Sequence, residues 1–120
     1  MAPAPDIDAL RPLKPVELEL LLALAGGERH GYALVQEIAE QTGGLVHLEP
    51  GNLYRVIKRL RAAGLVGEAP APPGEADDER RRYYRLTAAG ARVTAAELEW
   101  MRAVVNGAAA RRLAQRFRTT

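Results

Sequence analysis

The stretch of sequence that decides the fold is Gly51-Asn52-Leu53-Tyr54-Arg55-Val56-Ile57-Lys58-Arg59-Leu60-Arg61. At 3.6 residues per turn, its four aliphatic residues have the spacing i, i+3, i+4 and i+7, which is typical of a helix face that packs on a core. The cations Arg55, Lys58 and Arg59 gather on the opposite side, together with Asn52. No carboxylate lies between positions 52 and 67 to neutralise them. Such a face suits a polyanion, although a solvated basic face on an ordinary amphipathic helix has the same pattern.

Charge is distributed unevenly along the 120 residues. Residues 1–50 carry three Arg or Lys against eight Asp or Glu, a net charge of minus five, whereas the whole chain has a formal net charge of +2. The basic residues concentrate at 51–61, 80–92 and 111–118. The placement of charge therefore says more about a partner than its total does.

The composition excludes most enzymatic chemistry. The chain contains neither Cys nor Ser, which removes disulfides, thiolate metal sites and two common nucleophiles. The two histidines, His30 and His47, lack metal-ligand spacing, and we expect His30 to cap a helix or pack. We expect no catalytic residue, no metal and no cofactor. Because there is no apolar run of about 20 residues and no signal-peptide layout, we expect a cytoplasmic protein that does not enter a membrane.

Apolar periodicity and chain-breaking residues predict four helices and two strands. The helices are expected over 15–25, 31–42, 50–63 and from Thr87 to about Phe117, and the strands over 65–69 and 80–86. Proline suits the first turn of the helices 15–25 and 50–63, and Gly64 suits the left-handed residue that closes the second of these. Asn106-Gly107 is expected to kink or end the last helix.

Three helices followed by a two-stranded hairpin form a winged helix-turn-helix. The expected fold is mainly α with a small two-stranded β wing, plus a C-terminal dimerisation helix. We expect a flexible N-terminal arm over 1–14, a winged-helix DNA-binding domain over 15–86, and a dimerisation helix with a basic tail over 87–120. Helix-turn-helix proteins place the second helix of the motif in the major groove, which here is the helix 50–63.

Four blocks of sequence carry a resemblance to a known family. They are His30-Gly31-Tyr32-Ala33-Leu34, Gly51-Asn52-Leu53-Tyr54, Arg59-Leu60 followed by Gly64-Leu65-Val66, and Arg81-Arg82-Tyr83-Tyr84-Arg85-Leu86-Thr87 with Gly90. Over residues 15–90 the chain resembles the PadR family of bacterial transcriptional regulators. The resemblance implies a homodimeric winged-helix repressor, whose last helix makes most of the dimer contacts. It also implies release from the operator by a small hydrophobic or aromatic effector, as is often found in the family.

Two positions depart from the pattern of that family. Glu49 stands where a small hydroxyl residue usually caps the recognition helix, and its charge interacts well with the helix dipole but repels a phosphate. Asn52 replaces the more usual Thr or Ser. Because an amide can make paired hydrogen bonds to adenine, base readout is expected to differ from that of relatives.

Nine residues are predicted to contact DNA: Tyr32, Gly51, Asn52, Tyr54, Arg55, Lys58, Arg59, Arg80 and Arg82. Arginine favours guanine through two hydrogen bonds, whereas lysine acts as a point charge. We therefore expect Arg55 to read bases and Lys58 to hold a phosphate. The two tyrosines are equally consistent with core packing, and the strand arginines with protection of a sheet edge.

The last predicted helix carries an apolar surface that is too broad for one edge of a small core. We expect a partner subunit to cover it, with Val93, Trp100, Met101 and Val104 at the dimer interface or at an effector site. Trp100 suits a flat aromatic ligand at the dimer seam, although packing alone would also explain it.

The predicted function is DNA-binding transcriptional regulation by a homodimeric repressor. Its partners are an inverted-repeat operator in double-stranded DNA and a small aromatic or hydrophobic effector. The alternative is a winged-helix protein-interaction module that does not bind DNA, which Glu49, the acidic first 50 residues and the low net charge favour. A small enzyme has no assembled mechanism in this sequence.

Overall fold

The computed structural model of the protein describes residues 6–71 and 82–118. In these ranges the helices are α1 (Pro15–Ala25), α2 (Gly31–Gln41), α3 (Pro50–Ala62), α4 (Ala88–Asn106) and α5 (Ala108–Arg116), and a 3-10 turn spans Asp8–Leu10. The strands are β1 (Arg29–His30), β2 (Val66–Ala69) and β3 (Tyr83–Leu86), which form an antiparallel sheet of order β1-β3-β2. The predicted fold class, mainly helical with a small β wing, is confirmed.

The first three helices begin where the sequence predicts. Both α1 and α3 have proline in the first turn, where its missing N–H costs nothing. At the start of α1, Glu17 Oε1 accepts the backbone N–H of Lys14 at 2.8 Å, which is half of a capping box. At the start of α2, His30 Nδ1 accepts the backbone N–H of Ala33 at 3.2 Å. The prediction that His30 caps or packs is therefore confirmed.

The strand β1 was not predicted. Arg29 and His30 pair with Tyr84 and Tyr83 of β3, so the sheet has three strands among the described residues instead of two. A strand of two residues is too short for alternation to reveal it. Its pairing covers the edge of β3 that faces away from β2, and the His30 ring meets the Tyr83 ring edge-on at 5.4 Å.

The hydrophobic core lies between α1, α2, α3, the sheet and the first half of α4. Its largest fully buried apolar side chains are Leu20, Leu21, Leu34, Ile38, Leu53, Leu60, Leu65 and Val93. Burying an aliphatic side chain of this size contributes about 1.5–3 kcal/mol relative to leaving it exposed. The two leucines from α3 therefore help to fix which face of that helix points outward.

The end of α3 and the start of α4 form a single joint. Gly64 has a φ of 80°, the left-handed conformation that closes α3 as predicted. Thr87 caps α4, since its Oγ1 accepts the Gly90 N–H at 3.0 Å and donates to the Gly64 carbonyl at 2.7 Å. Gly90 lies so close to β2 that a Cβ there would be 2.2 Å from the Leu65 carbonyl oxygen. Only glycine fits this contact.

The last predicted helix is two helices. Gly107 has extended backbone angles, with φ −66° and ψ 150°, and separates α4 from α5. This agrees with the expected kink or end at Asn106-Gly107. None of the residues of α5 is buried, so this helix lies outside the core.

Residues 7–13 lie against the core, whereas the sequence predicted a flexible arm over 1–14. Three of their aliphatic side chains pack on the core. Arg11 Nε donates to Glu97 Oε1 at 2.6 Å, and the backbone N–H of Leu13 donates to Glu97 Oε2 at 3.1 Å. Glu97 is 1% exposed. A buried carboxylate of α4 thus fastens this segment, through a contact that local composition does not reveal.

Candidate nucleic-acid interface

Helix α3 divides into a buried and an exposed side as its sequence predicts. The four aliphatic residues Leu53, Val56, Ile57 and Leu60 are all buried, and the residues Gly51, Asn52, Arg55, Lys58 and Arg59 are all exposed. Because the aliphatic side is fixed in the core, the direction of the polar side is fixed as well.

Arg55 and Lys58 are the two cations of this face that have no acidic partner among the described residues. Within residues 6–71 and 82–118, neither of them lies within salt-bridge distance of a carboxylate. Their charges are therefore not offset by a neighbouring acid, and the centre of the exposed face of α3 has a positive potential.

Arg59 and Arg61, on opposite flanks of α3, are both ion-paired. Arg59 Nε is 3.0 Å from Glu17 Oε2 in α1, and Arg61 Nη1 is 3.1 Å from Glu68 Oε1 in β2. Neither partner is apparent from the sequence, because the α3 segment itself contains no acid. Glu17 stands three residues after the N-cap position of α1, which predicts its bond to the start of α1 but not its pairing with Arg59.

The wing joins α3 through a group of four charged residues, which we call the wing cluster: Arg61, Glu68, Arg82 and Arg85. Glu68 Oε1 is ion-paired with Arg61 Nη1 at 3.1 Å and accepts a hydrogen bond from Arg82 Nη1 at 3.3 Å. The Glu68 carbonyl accepts from Arg85 Nε at 3.3 Å. Two guanidinium groups share the Glu68 carboxylate and a third bonds the backbone carbonyl of the same residue, so the wing cluster keeps a net positive charge. Arg80, another predicted contact, lies outside the described residues.

The two tyrosines predicted to contact DNA have different surroundings. Tyr32, at the start of α2, is 67% exposed. Tyr54 is 45% exposed, and its ring lies against Gly31, where a Cβ would be 2.8 Å from the phenol oxygen. Tyr54 therefore packs between α3 and α2, while part of its ring stays exposed.

Burial raises the pKa of the nearby Tyr84 phenol above its ordinary value, and the Tyr54 phenol adds to this shift.

An open groove of about 530 Å³ borders the exposed face of α3. Its walls are the start of α1, residues 45–48, and the side chains of Asn52, Arg55 and Val56. Asn52 and Arg55, which are both predicted to contact DNA, thus line the same groove. At its edge Leu45 is 88% exposed. Glu49 occupies the N-cap position of α3 and makes no hydrogen bond to the helix through its side chain.

The residues predicted for a dimer interface or effector site separate into two groups. Val93 is fully buried in the core of its own chain, so its assignment to an interface is wrong. Trp100 and Val104 are 51% and 49% exposed, and Met101 is partly exposed. A cavity of about 310 Å³ next to Trp100 is also lined by Arg11, Pro12 and Glu97.

Residues 6–71 and 82–118 lack two further features. No group of three or more His, Asp or Glu side chains there is arranged to hold a metal ion. No helix there is long and apolar enough to cross a membrane.

Comparison with known proteins identifies relatives of this chain. Residues 20–96 match the profile described as "Transcriptional regulator PadR-like family". The H. salinarum RosR structure is 27% identical, with a TM-score of 0.66 over 88% of this chain and 90% of that one. Bacillus subtilis PadR, solved in complex with operator DNA, is 20% identical, with a TM-score of 0.59 over 75% of this chain and 48% of that one. This last likeness concerns the fold alone.

A sequence relative is also found in Lysinibacillus sphaericus. This uncharacterised protein is 33% identical over 64 residues, which are 52% of this chain and 56% of that protein. The matched region therefore spans only about half the length of the curated relative.

Proposed function

The chain belongs to the PadR-like family of transcriptional regulators, and from this membership we propose that it represses transcription as an operator-binding homodimer. Each copy places α3 in a major groove of an inverted repeat, with half-sites about 34 Å apart or at a multiple of that distance. The members of this family are transcriptional regulators rather than enzymes. The operator complex of the B. subtilis relative, which has the same fold, supports DNA as the partner.

The exposed face of α3 is the observation that carries this proposal. Asn52 and Arg55 point outward from a helix whose other side is fixed in the core, and both can make paired hydrogen bonds to base edges. Arg55 and Lys58 bring positive charge that no described acid offsets. We assign base reading to Arg55 and Asn52, and phosphate binding to Lys58. Gly51 leaves room for the backbone of α3 to approach the DNA.

The remaining predicted contacts are placed around this face. Tyr32 is exposed enough to reach a phosphate, and the rim of Tyr54 is open beside it. The wing cluster, which includes Arg82, gives the wing a positive edge, and we propose that this edge contacts the DNA backbone. Arg59 also belongs to this set, although it is paired with Glu17.

Pairing of two copies through α4 accounts for the apolar residues that this helix leaves exposed. Leu98, Trp100, Val104 and Val105 are each more than 40% exposed. A monomer rarely keeps a continuous apolar patch of this kind in water. We propose that a second copy covers it and that Met101 lies at its border.

A small aromatic or hydrophobic effector fits the cavity beside Trp100. The indole supplies a flat wall, and most small-ligand sites combine such apolar surface with a few polar groups. A ligand there would touch α4 and the segment that Arg11 fastens to it. Quenching of the single tryptophan by a panel of planar aromatic compounds measures this binding, and a panel without saturable quenching would refute an aromatic effector.

DNA binding is tested with the duplex that flanks the coding region, centred on its inverted repeat. Fluorescence anisotropy at several salt concentrations should give a linear fall of log affinity against log salt, with a slope of about 0.9 per released counterion. Arg55→Ala should relax preference at one base pair by about 1–3 kcal/mol, whereas Lys58→Ala should weaken all sequences alike. A flat salt response, or equal effects of both variants on all sequences, would refute the assignment.

A protein-interaction module that does not bind DNA is the second candidate function. The observation that favours it is that Arg59, Arg61 and Arg82 are ion-paired with the carboxylates of Glu17 and Glu68, which offset part of their positive charge. The same anisotropy measurement separates the two functions, because such a module would not bind the duplex at low salt.

A further inference from the structure

The Glu17 carboxylate is held by two different elements at once. Its Oε1 accepts the backbone N–H of Lys14 at 2.8 Å, and its Oε2 accepts Nε of Arg59 at 3.0 Å. The Glu17 side chain is 12% exposed. The bond from Lys14 already holds the Glu17 carboxylate in place. The second oxygen is therefore a fixed acceptor, and Arg59 binds a side chain that is already ordered.

The arginine in this pair is attached by its inner nitrogen. A guanidinium group carries five N–H donors, of which one is on Nε and four are on the terminal nitrogens. In the described part of the chain, the bond from Arg59 uses Nε, whereas Arg61 reaches Glu68 through a terminal nitrogen. The Arg59 side chain remains 46% exposed. Its terminal donors are therefore available to a further acceptor.

We propose that Glu17 is a positioning residue, which holds Arg59 so that its terminal nitrogens bind one DNA phosphate beside the bases contacted by Arg55. This proposal rests on the proposed DNA binding by α3. Arg59 lies one helical turn after Arg55 and so shares its side of α3. Phosphate oxygens accept paired hydrogen bonds from terminal guanidinium nitrogens. A side chain ordered before binding loses less conformational entropy when the DNA arrives.

Whether one substitution strengthens or weakens DNA binding distinguishes a positioning role of Glu17 from a purely electrostatic effect. Glu17→Gln removes a negative charge from the neighbourhood of a polyanion, which by itself strengthens DNA binding. Glutamine also serves at the third position of a capping box, so the start of α1 is kept. If Glu17 positions Arg59, however, the same substitution weakens binding, because the arginine loses its charged anchor.

Glu19→Gln is the matched control. Glu19 lies in the same helix, and its carboxylate accepts from Gln41 Nε2 at 2.6 Å, with no arginine of α3 as partner. The substitution makes the same change of charge, and we expect DNA binding to stay the same or strengthen slightly.

Anisotropy with the labelled inverted-repeat duplex, at one fixed salt concentration, measures the effect. We expect Glu17→Gln to weaken binding about three- to tenfold, which is the lower part of the range for residues in contact. In the Arg59→Ala background, Glu17→Gln should no longer weaken binding. Arg59→Lys, which keeps the charge but cannot bridge two acceptors in this way, should weaken binding as Glu17→Gln does.

Two outcomes would overturn the positioning role. One is that Glu17→Gln and Glu19→Gln change affinity alike, and the other is that Glu17→Gln weakens binding equally with Arg59→Ala present. Thermal unfolding of each variant shows whether the fold is kept. If the unmodified protein does not bind the duplex at all, the proposed DNA-binding function itself is refuted, which is a different result.

Discussion

Replacement of Arg11 by methionine tests how the N-terminal segment is held on α4. In the folded protein, Glu97 is 1% exposed and accepts hydrogen bonds from Arg11 Nε and from the backbone N–H of Leu13. Arg11→Met leaves the carboxylate buried with the Leu13 N–H as its remaining bond among the described contacts. Methionine has a similar length, so the packing is largely kept.

The magnitude follows from the burial of the two partners. Removing one partner of a fully buried ion pair costs about 3–5 kcal/mol. Here the Arg11 side chain is 26% exposed, so the pair is only partly buried and the cost lies below that range. We therefore expect Arg11→Met to lower the free energy of unfolding by about 2–3 kcal/mol. Glu97→Gln keeps an acceptor and buries no charge, so its expected cost is about 1 kcal/mol.

Urea unfolding, followed by circular dichroism at one protein concentration, measures both variants. Arg11→Met should lower the urea midpoint by about 1–2 M. The double variant Arg11→Met/Glu97→Met should be more stable than Arg11→Met alone, because no charge is left buried. The reasoning is refuted if Glu97→Gln costs more than Arg11→Met, or if the double variant is the least stable of the three.

Three other predictions concern α4 and the sheet. Thr87→Ala removes the N-cap of α4 and should lower stability by about 1–2 kcal/mol, seen as a lower thermal midpoint; an unchanged midpoint would contradict the role of this cap. Val104→Glu should convert the proposed dimer to a folded monomer, because about half of this residue is already exposed in the single chain; sedimentation equilibrium measures the mass, and an unchanged mass would exclude α4 as the interface. The raised pKa of Tyr84 means that the folded state holds the phenol proton more tightly than the unfolded state, whose pKa is near the ordinary 10.0. This contribution to stability is complete below pH 10 and is lost as pH rises through the folded pKa, so urea midpoints of Tyr84→Phe should fall less at high pH than those of the unmodified protein, and equal falls would refute it.

Local features of the fold could be predicted from the sequence because short-range physics sets them. The apolar spacing in α3 determines its buried side whatever the rest of the chain does. Proline in the first turns and Gly64 at the end of α3 fix helix boundaries through backbone geometry alone. The outward direction of Arg55 and Lys58 follows from the same pattern, so the centre of the candidate interface was predictable.

Contacts between distant residues could not be predicted in the same way. Glu17 meets Arg59 across 42 positions, and Arg11 meets Glu97 across 86. The sequence shows that these charges exist, but their pairing depends on how the helices pack. The pairing of the two residues of β1 with β3 is likewise a long-range contact, which depends on how the elements pack.

Val93 illustrates a different limit. It lies on the same side of α4 as Trp100 and Val104 by helical spacing, so periodicity predicts one common environment for all three. In the structure the first half of α4 rests on its own domain, and the second half extends past it. The same apolar line is therefore covered by the core at Val93 and open at Trp100.

The close seating of Gly90 on the Leu65 carbonyl has a consequence for operator geometry. The end of the helix proposed to read DNA is bonded directly to the start of the helix proposed to pair the subunits, since Thr87 Oγ1 donates to the Gly64 carbonyl. In a dimer paired through α4, the number of base pairs between the two half-sites would thus be set by the angle of this junction. Such a protein would tolerate little variation in operator spacing, and Gly90→Ala would alter which spacings it accepts as well as how stably it folds.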